Sequence, residues 1–583
     1  MFLVASSDAC AKSLYLKPNS NWKIDNARFA VYAFGSGEAW YDMSAVSDNP
    51  GYYQTTVDDK YPQVIFCRMD PANLENKWDN KWNQTQDMDV NAEQNLCTIT
   101  EGEWNNAGSW SVYGEESGGG KEPVTPSDFE SAVPSQCEDV MLQAFYWQSN
   151  VNSGYGDTKW QTLTGQATEI GTYFDLVWLP PSGQASGISK GGLGYIPLEY
   201  SSQTCLMGKR VYLDQLISAL HTNGVRVLAD IVINHIGNGS GNCDGLYKQN
   251  FGTFGEFKPT VDWLTSDDEG GCGSNGHQDD GQHRDVKKSY DYEAARDWDH
   301  QNADVQNMCK AYLKWMKAEM QYDGFRYDMV GGYHVSHIHD YNTASKPYLS
   351  VIEYWVGDAN ELKTRIDEAS KNTLAFDFAA KYGVFRDGIF NKSYNNCKNG
   401  GLRGKGYSKY AVTFIDNHDT FNRGSEGEDV ANKRDGSSIN DKSLMMRCNA
   451  YLLSMPGVPC VFWPHWVKYK TEIKKMIEAR KKAGIHSESA VTEESGNGYY
   501  RATIQGKYGS VKLMLGSAAS DAAPAGYTEA IKGSDYAMYY TGNGAWAVEH
   551  VNTSAKSEKF LKDGQLYIRC GEKIYDAQGR IVK

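Results

Sequence analysis

Short apolar runs of strand length recur along most of the chain, separated by longer stretches whose apolar residues return every three or four positions. The short runs predict buried strands, and the longer period predicts amphipathic helices. The helical period is clearest at 211–224, VYLDQLISALHTNG, and at 307–321, NMCKAYLKWMKAEMQ. Eight strand runs lie at 139–147, 174–181, 225–235, 324–330, 349–355, 374–380, 410–419 and 458–463. Eight such strand–helix units predict an α/β protein with a parallel (β/α)8 (TIM) barrel.

One interval within the barrel is too long for a single helical crossover. About 90 residues separate the third strand from the fourth, and residues 236–298 within them are rich in Gly, Asp and Asn. They show little helical period, so we expect an irregular inserted subdomain at 236–298.

The pattern also changes on both sides of the barrel. Strand-like runs at 28–35 and 63–70, with turns rich in Asn, Asp and Gly, predict an N-terminal β-sandwich over 11–113. A Gly-, Ser- and Pro-rich linker at 114–136 then leads to the barrel. The domains are predicted to be the sandwich and linker, then a catalytic barrel at 137–494 and an antiparallel β domain at 495–583.

Composition narrows the range of partners. The chain has 583 residues, which is too long for one hydrophobic core. Its formal charge of −15 argues against nucleic acid or an anionic membrane, and no apolar run reaches membrane-spanning length. Aromatic residues make up 13% of the chain, which fits either several β-rich cores or rings that stack on sugars. We expect a monomer that acts on a neutral substrate.

Cysteine usage leaves the redox compartment open. The 12 cysteines include no CxxC pair and no zinc-like spacing. Cys243 and Cys272 share one irregular segment and are the best disulfide candidates, whereas the others fit buried free thiols at least as well. The start, MFLVASSDACAK, has no basic residue before its apolar patch and is not a convincing signal peptide, although a trimmed one would look similar.

Polar residues gather where the predicted barrel strands end. In a barrel of this type, active groups lie at the carboxyl ends of the strands. The residues at four of these ends are Asp230, Asn234, His235, Arg326, Asp328, Glu353, Asp416, Asn417, His418 and Asp419. One such residue could be a structural cap, but burying several acids together without a task costs too much free energy.

The stretch GFRYDMV (324–330) places a cation and an anion on one face of a strand, because side chains alternate. Arg326 and Asp328 could form a plain buried ion pair. With Glu353 and Asp419 they instead suggest glycosidic bond cleavage, which needs one attacking carboxylate and one carboxylic acid. Apolar neighbours would raise the pKa of Glu353 for the acid role, and Arg326 would keep Asp328 ionised.

The barrel resembles the α-amylase family of glycoside hydrolases (family 13), in the branch of plant and some bacterial α-amylases. The matching motifs are DIVINH (230–235), GFRYDMV (324–330), IEYW (352–355), FIDNHD (414–419), GYIP (194–197) and DWDHQN (297–302). The resemblance covers roughly residues 138–550.

The resemblance implies a role for each matching residue. Asp328 would be the nucleophile, Glu353 the general acid and base, and Asp419 the group that stabilises the transition state. The substrate-binding residues would be Tyr195, His235, Arg326 and His418. Asp230 matches a structural partner in this family and receives no catalytic role.

The same resemblance implies a Ca²⁺ cofactor between barrel and insertion. Its ligands would be Asn234, Asp291 and the carbonyl of Gly332, all hard oxygen donors. Asp291 could instead be a solvated loop acid. The family often has a Lys after the nucleophile motif, where this chain has Gly331, so the affinity of the leaving-group subsite and the product lengths are open.

The N-terminal module resembles the starch-binding modules attached to bacterial amylases, on the stretches 21–40 and 76–85. Tyr32 and Trp40 would form a stacking pair, with Trp78 or Trp82 at its edge. Each ring could equally be part of the module's core.

Together these patterns predict an extracellular or cell-surface retaining endo-α-amylase that cleaves starch and malto-oligosaccharides. A related transglycosidase or maltogenic enzyme is the alternative with the same acids. A non-catalytic glucan-binding protein is the alternative from another class, although such proteins typically lose one of the three acids, and all three stand here.

Overall fold

The fold was described from a computed structural model of the chain. It describes residues 11–46, 51–90, 95–100, 103–106, 108–111, 113, 121, 123–151, 154–186, 193–237, 245–266, 276–281, 295–421, 438–544, 558–562, 565–570 and 573–576. Among the described helices, none is long and apolar enough to cross a membrane. The predicted Cys243–Cys272 pair lies outside the described residues, and the eight cysteines whose side chains are described there are free thiols.

Two five-stranded sheets form the N-terminal module. The strands of the first sheet, in spatial order, are Ser109–Ser111, Leu96–Thr98, Ala11–Lys17, Tyr53–Asp58 and Ser44–Ala45. Those of the second are Glu38–Asp42, Arg28–Phe34, Gln63–Met69 and Lys81–Gln84, with Met88–Asp89 also paired to Gln63–Met69. Leu14 and Leu16 of the first sheet share a buried core with Val31, Val64 and Phe66 of the second. The strands predicted at 28–35 and 63–70 are confirmed and pair with each other.

Eight parallel strands close into a barrel, as the hydrophobic runs predicted. They are Met141–Gln143, Leu176–Leu179, Arg226–Ile231, Gly324–Tyr327, Ser350–Ile352, Leu374–Phe376, Ala411–Phe414 and Val458–Phe462. Every residue of these strands except Arg226 is buried, because a barrel of this type is covered by helices outside and packed with side chains inside.

Helices follow the barrel strands. They are Trp160–Thr164, Ala167–Tyr173, Arg210–Thr222, Ala303–Ala318, Ser336–Ser345, Ala359–Glu368, Phe378–Ala380, Lys442–Ser454, Trp463–Lys468 and Lys470–Ala483, with a π-helical segment at Lys381–Phe390. The helices predicted at 211–224 and 307–321 are confirmed within a few residues. In the second of these, Val305, Met308, Cys309 and Tyr312 are buried at helical spacing, which is why the apolar period was visible.

The chain enters and leaves the insertion through one antiparallel strand pair. His235–Ile236 pairs with Arg296–Asp297, so the two ends of the segment meet beside the third barrel strand. A second small pair, Gln249–Asn250 with Glu256–Phe257, lies within the segment.

Residues 123–136, the second half of the predicted linker, lie against the barrel. The Val124 N–H donates to the His221 carbonyl over 2.9 Å, and the Ala132 N–H donates to Asn372 Oδ1 over 3.0 Å. Composition identified a connecting segment, and these bonds show that its second half is held on the barrel surface.

The C-terminal domain begins with a five-stranded antiparallel sheet. In spatial order its strands are Ala490–Gly496, Tyr499–Gln505, Ser510–Gly516, Tyr536–Tyr540 and Thr528–Lys532. A three-stranded sheet follows, made of Glu558–Lys562, Gln565–Cys570 and Lys573–Asp576. Tyr500, Ile504 and Leu513 belong to the same buried cluster as the barrel, so the first sheet shares the barrel's core.

Candidate active site

Arg326 lies at the centre of the carboxyl end of the barrel and contacts three acids. Its guanidinium is fully buried, and Nη1 donates to Asp328 Oδ1 over 2.6 Å and to Asp230 Oδ1 over 2.8 Å. Its Nη2 lies 2.7 Å from Glu353 Oε1, within ion-pair distance. These acids come from strands three, four and five, so one cation fixes side chains from three neighbouring strands. The same-face arrangement predicted for Arg326 and Asp328 is present.

Asp230 holds the ring of Tyr195 as well as Arg326. Its Oδ2 accepts from the Tyr195 hydroxyl over 2.8 Å and from Trp178 Nε1 over 3.0 Å. Trp178 also lies beneath the arginine, with 5.1 Å between the guanidinium carbon and the ring centre. Arg326, Tyr195 and Trp178 therefore all donate to the Asp230 carboxylate, and its structural role stays a prediction.

Met329 turns the chain directly after Asp328. It has a left-handed conformation at φ 45° and ψ 45°, which a non-glycine residue adopts only at a cost in free energy. The turn brings the Met329 N–H to 3.2 Å from Glu353 Oε2. Sequence reasoning missed this residue, because nothing in a methionine marks a position of positive φ.

The pKa values of both central acids are raised above the ordinary range of carboxyl groups. Burial raises the pKa of Asp328 to about 7 against the opposing charge of Arg326. Burial raises the pKa of Glu353 to about 8, with Arg326 opposing the rise and Asp328 adding to it. Desolvation thus opposes the expected effect of Arg326, which was to keep Asp328 ionised. The raised pKa of Glu353 is in the direction expected for a general acid.

Asp419 sits in a tight turn after strand seven. Asn417 Oδ1 accepts from the backbone N–H groups of Asp419 over 3.1 Å and Thr420 over 2.9 Å. His418 Nε2 lies 3.1 Å from Asp419 Oδ2, and its Nδ1 lies 3.1 Å from the amide nitrogen of Gln143 on strand one. The Gln143 amide nitrogen can only donate, so in this orientation His418 Nδ1 accepts from it and Nε2 faces Asp419. Gln143 was not found from sequence, where it reads as an ordinary strand residue.

The imidazole of His418 also completes an aromatic wall. The Tyr195 ring stacks on it at 5.0 Å and 10°, and Trp147 lies 5.6 Å from His418 and 5.7 Å from Tyr195. Tyr195 and His418 therefore lie beside the acids, where the sequence motifs placed them. Trp147 is a further ring of this wall that the motifs did not include.

His235 lies beside the acids but makes a protein contact at Nε2. That nitrogen is 2.8 Å from the backbone carbonyl of Tyr195, and the ring is buried. It ties the segment that carries Tyr195 to strand three. Its contact with a sugar hydroxyl stays a prediction.

A second buried charge group lies under the turn that carries Asp419. Lys381 Nζ is 3.2 Å from Asp416 Oδ1 and donates to the Ile415 carbonyl over 2.7 Å. His465 Nε2 lies 3.2 Å from Asp416 Oδ2. All three side chains are almost fully buried. They fix the end of strand seven from its neighbours, since Lys381 follows strand six and His465 follows strand eight.

Two of the three predicted calcium ligands lie together. Asn234 Oδ1 is buried without a hydrogen-bond partner, while its Nδ2 donates to Asp297 Oδ1 over 3.0 Å. A Cβ added to Gly332 would lie 1.9 Å from that orphan oxygen, so the backbone of Gly332 passes directly beside it. Asp291 lies outside the described residues, and the described residues contain no cluster of three or more His, Cys, Asp or Glu side chains suited to a metal. The oxygens that are described fit a hard cation.

The aromatic residues predicted for starch binding divide into two groups. Tyr32 and Trp40 are cross-strand partners with ring centres 5.0 Å apart, and Trp78 lies 4.7 Å and 4.9 Å from them. We call Tyr32, Trp40 and Trp78 the outer patch, because it covers the sheet face opposite the sandwich core. Trp82 does not join it and lies against Arg68 instead.

Comparison with known proteins gave sequence relatives, although no family model matches the chain. Probable α-amylase 2 of Arabidopsis thaliana is 28% identical over 428 residues, covering 69% of this chain and 94% of that protein. The chloroplastic α-amylase 3 of the same plant is 29% identical over 429 residues, covering 69% of this chain but 44% of that longer protein.

Solved structures share the fold. An α-amylase from Anoxybacillus has a TM-score of 0.52 at 14% identity, covering 70% of this chain and 99% of that one. A cyclomaltodextrin glucanotransferase with a three-domain arrangement has a TM-score of 0.51 at 16% identity, covering 70% of this chain and 100% of that one.

The fold is that of barrel enzymes whose active groups lie at the carboxyl ends of the strands. Over about two thirds of its length the chain is similar in sequence to proteins named α-amylases, which are glycoside hydrolases.

Proposed function

We propose that this protein is a retaining endo-α-amylase that hydrolyses internal α-1,4 bonds of starch and malto-oligosaccharides. The observation that carries the proposal is the bridge made by Arg326, whose two terminal nitrogens bind Asp328 and Glu353. One guanidinium keeps the two carboxyls close together. Retaining glycosidases need a separation of about 5–5.5 Å, whereas inverting enzymes need about 6.5–9.5 Å to admit a water.

Each carboxyl then has its own step. Glu353 gives its proton to the leaving glycosidic oxygen while Asp328 attacks the anomeric carbon, and a covalent glycosyl-enzyme forms. Water, deprotonated by Glu353, attacks the same carbon and releases Asp328. Asp419 stabilises the positive charge that develops on the sugar ring, and the Tyr195 ring packs against that sugar. The raised pKa of Glu353 suits the group that begins with the proton.

Transfer to a second sugar is the alternative outcome of the same intermediate. The fold is shared with a glucanotransferase, so the barrel alone does not favour water over a sugar acceptor. Gly331 places no side chain where the family often has a lysine on the leaving-group side. A weaker acceptor subsite favours water, and therefore hydrolysis.

The test is the anomeric form of the first product from maltoheptaose, followed by proton NMR. A retaining hydrolase gives the α-anomer first, with the β-anomer rising only by mutarotation. A first-formed β-anomer would overturn the retaining mechanism, and products longer than the substrate would establish the transglycosidase.

The two raised pKa values predict a bell-shaped pH profile. Asp328 must be ionised and Glu353 protonated, so kcat/KM falls at acid pH as Asp328 takes up a proton. It falls again above about pH 8 as Glu353 loses its proton. The profile is measured on soluble starch, with the melting temperature followed over the same range to exclude unfolding. A plateau extending well above pH 8 would contradict the acid role of Glu353.

We also propose that Ca²⁺ binds beside the barrel through Asn234 Oδ1, Asp291 and the Gly332 carbonyl. The buried, unpartnered amide oxygen supports this, since such an atom needs a donor or a cation. The ion would link the insertion to the loop after Asp328 and would act in stability rather than in chemistry.

Chelation is therefore expected to lower the melting temperature, and added Ca²⁺ to restore it. The measurement is thermal unfolding of metal-stripped protein with and without Ca²⁺. Asn234→Ala should remove the shift, whereas Asn302→Ala, which removes a helix cap elsewhere, should keep it. An unchanged melting temperature in stripped wild type would argue against the site.

The N-terminal module is proposed to hold starch through the outer patch. Trp78 is 42% exposed beside Tyr32 and Trp40, so flat rings are presented to solvent on one face. Granular starch is too large to enter a cell, which favours an extracellular or cell-surface site of action. We further propose that the protein acts as a monomer.

A further inference from the structure

Two exposed tryptophans of the N-terminal module flank one buried arginine. The guanidinium carbon of Arg68 lies 4.6 Å from the ring centre of Trp82 and 5.5 Å from that of Trp104. Arg68 itself is buried, yet both indole side chains remain 40% exposed. We call Trp82, Arg68 and Trp104 the tryptophan clamp. Trp104 carries no motif, so sequence analysis did not find it.

We propose that the tryptophan clamp is a second α-glucan contact site, separate from the outer patch. The inference rests on the α-glucan substrate proposed for the barrel and adds a site that holds the same polymer. Indole faces carry partial negative charge and attract the partly positive C–H groups of a sugar ring. Two such faces held by one arginine can stack on neighbouring sugars of a chain.

The clamp and the outer patch lie on different faces of one sheet. Cys67 and Met69, on either side of Arg68, pack with the outer patch, so alternation turns Arg68 toward the opposite face. Strand Lys81–Gln84 contains a bulge there, since Asn83 pairs with Arg68 and Lys81 pairs with Met69. Trp82 is the extra residue, and a bulge re-aims a side chain.

The loop that carries Trp104 is fixed before any ligand binds. The Trp104 carbonyl accepts from Trp22 Nε1 over 3.1 Å, and the Glu103 carbonyl accepts from Asn19 Nδ2 over 2.8 Å. Asn105 Oδ1 accepts from the Gln84 N–H over 3.2 Å, which ties the loop to the strand of Trp82. The loop needs little further ordering when a ligand binds, so the entropic cost of binding is small.

The clamp is suited to a neutral ligand rather than an anion. Arg68 Nε donates to the Trp22 carbonyl over 3.1 Å, and Nη2 donates to the Ile24 carbonyl and to Asp25 Oδ2, each over 2.8 Å. Nη1 donates to Asn83 Oδ1 over 3.4 Å. The cation is thus engaged on every nitrogen and paired with a carboxylate. Four of its five N–H donors are used in these bonds, which leaves an anion little to bind, whereas a sugar needs only the ring faces.

Affinity electrophoresis in native gels containing soluble starch tests the site on the full chain carrying Asp328→Asn, which does not consume the polymer. Adding Trp104→Ala is expected to raise the dissociation constant about two- to tenfold. Leu74→Ala, which removes another exposed side chain of the same module, is the matched control and should change nothing. In a background with Tyr32→Ala and Trp40→Ala, Trp104→Ala should weaken binding further by a similar factor.

A second measurement needs no substitution at the clamp. Hydroxyl-radical footprinting of the full chain with and without maltoheptaose should show protection of Trp82 and Trp104. Tyr508, which is 54% exposed in the C-terminal domain, should stay unprotected.

The site would be overturned if adding Trp104→Ala left the starch affinity unchanged in both backgrounds and footprinting showed no protection of the clamp. The clamp would then be a structural stack or a protein-binding surface. That result is distinct from failure of the proposed function. In the latter case the wild-type chain would release no product from soluble starch, whatever the clamp binds.

Discussion

We expect Asp328→Asn to yield a folded protein that still binds soluble starch. Its turnover of starch should fall by at least about four orders of magnitude. The amide has nearly the same volume, and its oxygen can still accept from Arg326, so the site keeps its shape. It cannot attack the anomeric carbon, and no other carboxylate stands in the same place. The measurement is reducing-sugar release from soluble starch, beside starch affinity in native gels.

The matched control is Asp175→Asn, a buried acid at the opposite end of the barrel. Asp175 precedes strand two and pairs with Lys121 over 2.8 Å and with Lys481. Its loss removes charge pairs and should lower stability, but it lies away from the carboxyl ends and should leave kcat near wild type. Near-normal turnover by Asp328→Asn would refute the assignment of the nucleophile.

Arg326→Met is expected to destabilise the protein by about 3–5 kcal/mol at neutral pH and to abolish activity. It leaves Asp230, Asp328 and Glu353 buried without their shared cation. The loss of folding stability should increase as pH rises. At low pH the three carboxyls are neutral in both proteins, whereas above their raised pKa values only wild type compensates the charge. Urea unfolding at several pH values measures this dependence.

Arg480→Met is the control, because Arg480 is equally buried but donates to the backbone carbonyls of Leu453, Met455 and Gly457. Loss of Arg480 should destabilise the protein, but the destabilisation should not increase between pH 5 and 8. This is the interval in which buried carboxyls of this kind titrate. If both arginine variants showed the same pH dependence, the three acids would not be the partners that Arg326 serves.

The outer patch and the clamp show how far sequence reasoning reached in the N-terminal module. The alternation around Tyr32 predicted the strand and a partly buried ring on its outer face, because a half-buried strand has period two. It grouped Trp82 with Trp78, only four residues away. The structure separates them, because a single extra residue in the pairing with Arg68 re-aims Trp82. Register depends on the partner strand and cannot be read from one segment.

The barrel itself was determined by local sequence. Each strand is a short apolar run because both of its faces are buried, and each helix repeats its apolar residues at 3–4 positions because only one face is. Those two periods, with polar residues placed directly after the runs, were enough to predict eight strands in order and the acids at their carboxyl ends.

Tertiary structure alone decided how those acids behave. Contacts from Arg326 to strands three and five, the left-handed turn at Met329 and the amide of Gln143 behind His418 all join residues distant in the chain or depend on backbone geometry. The pKa of Asp328 illustrates the reason. The sequence showed its cation two residues away, but the extent of desolvation depends on everything packed around it, and that is set only when the barrel closes.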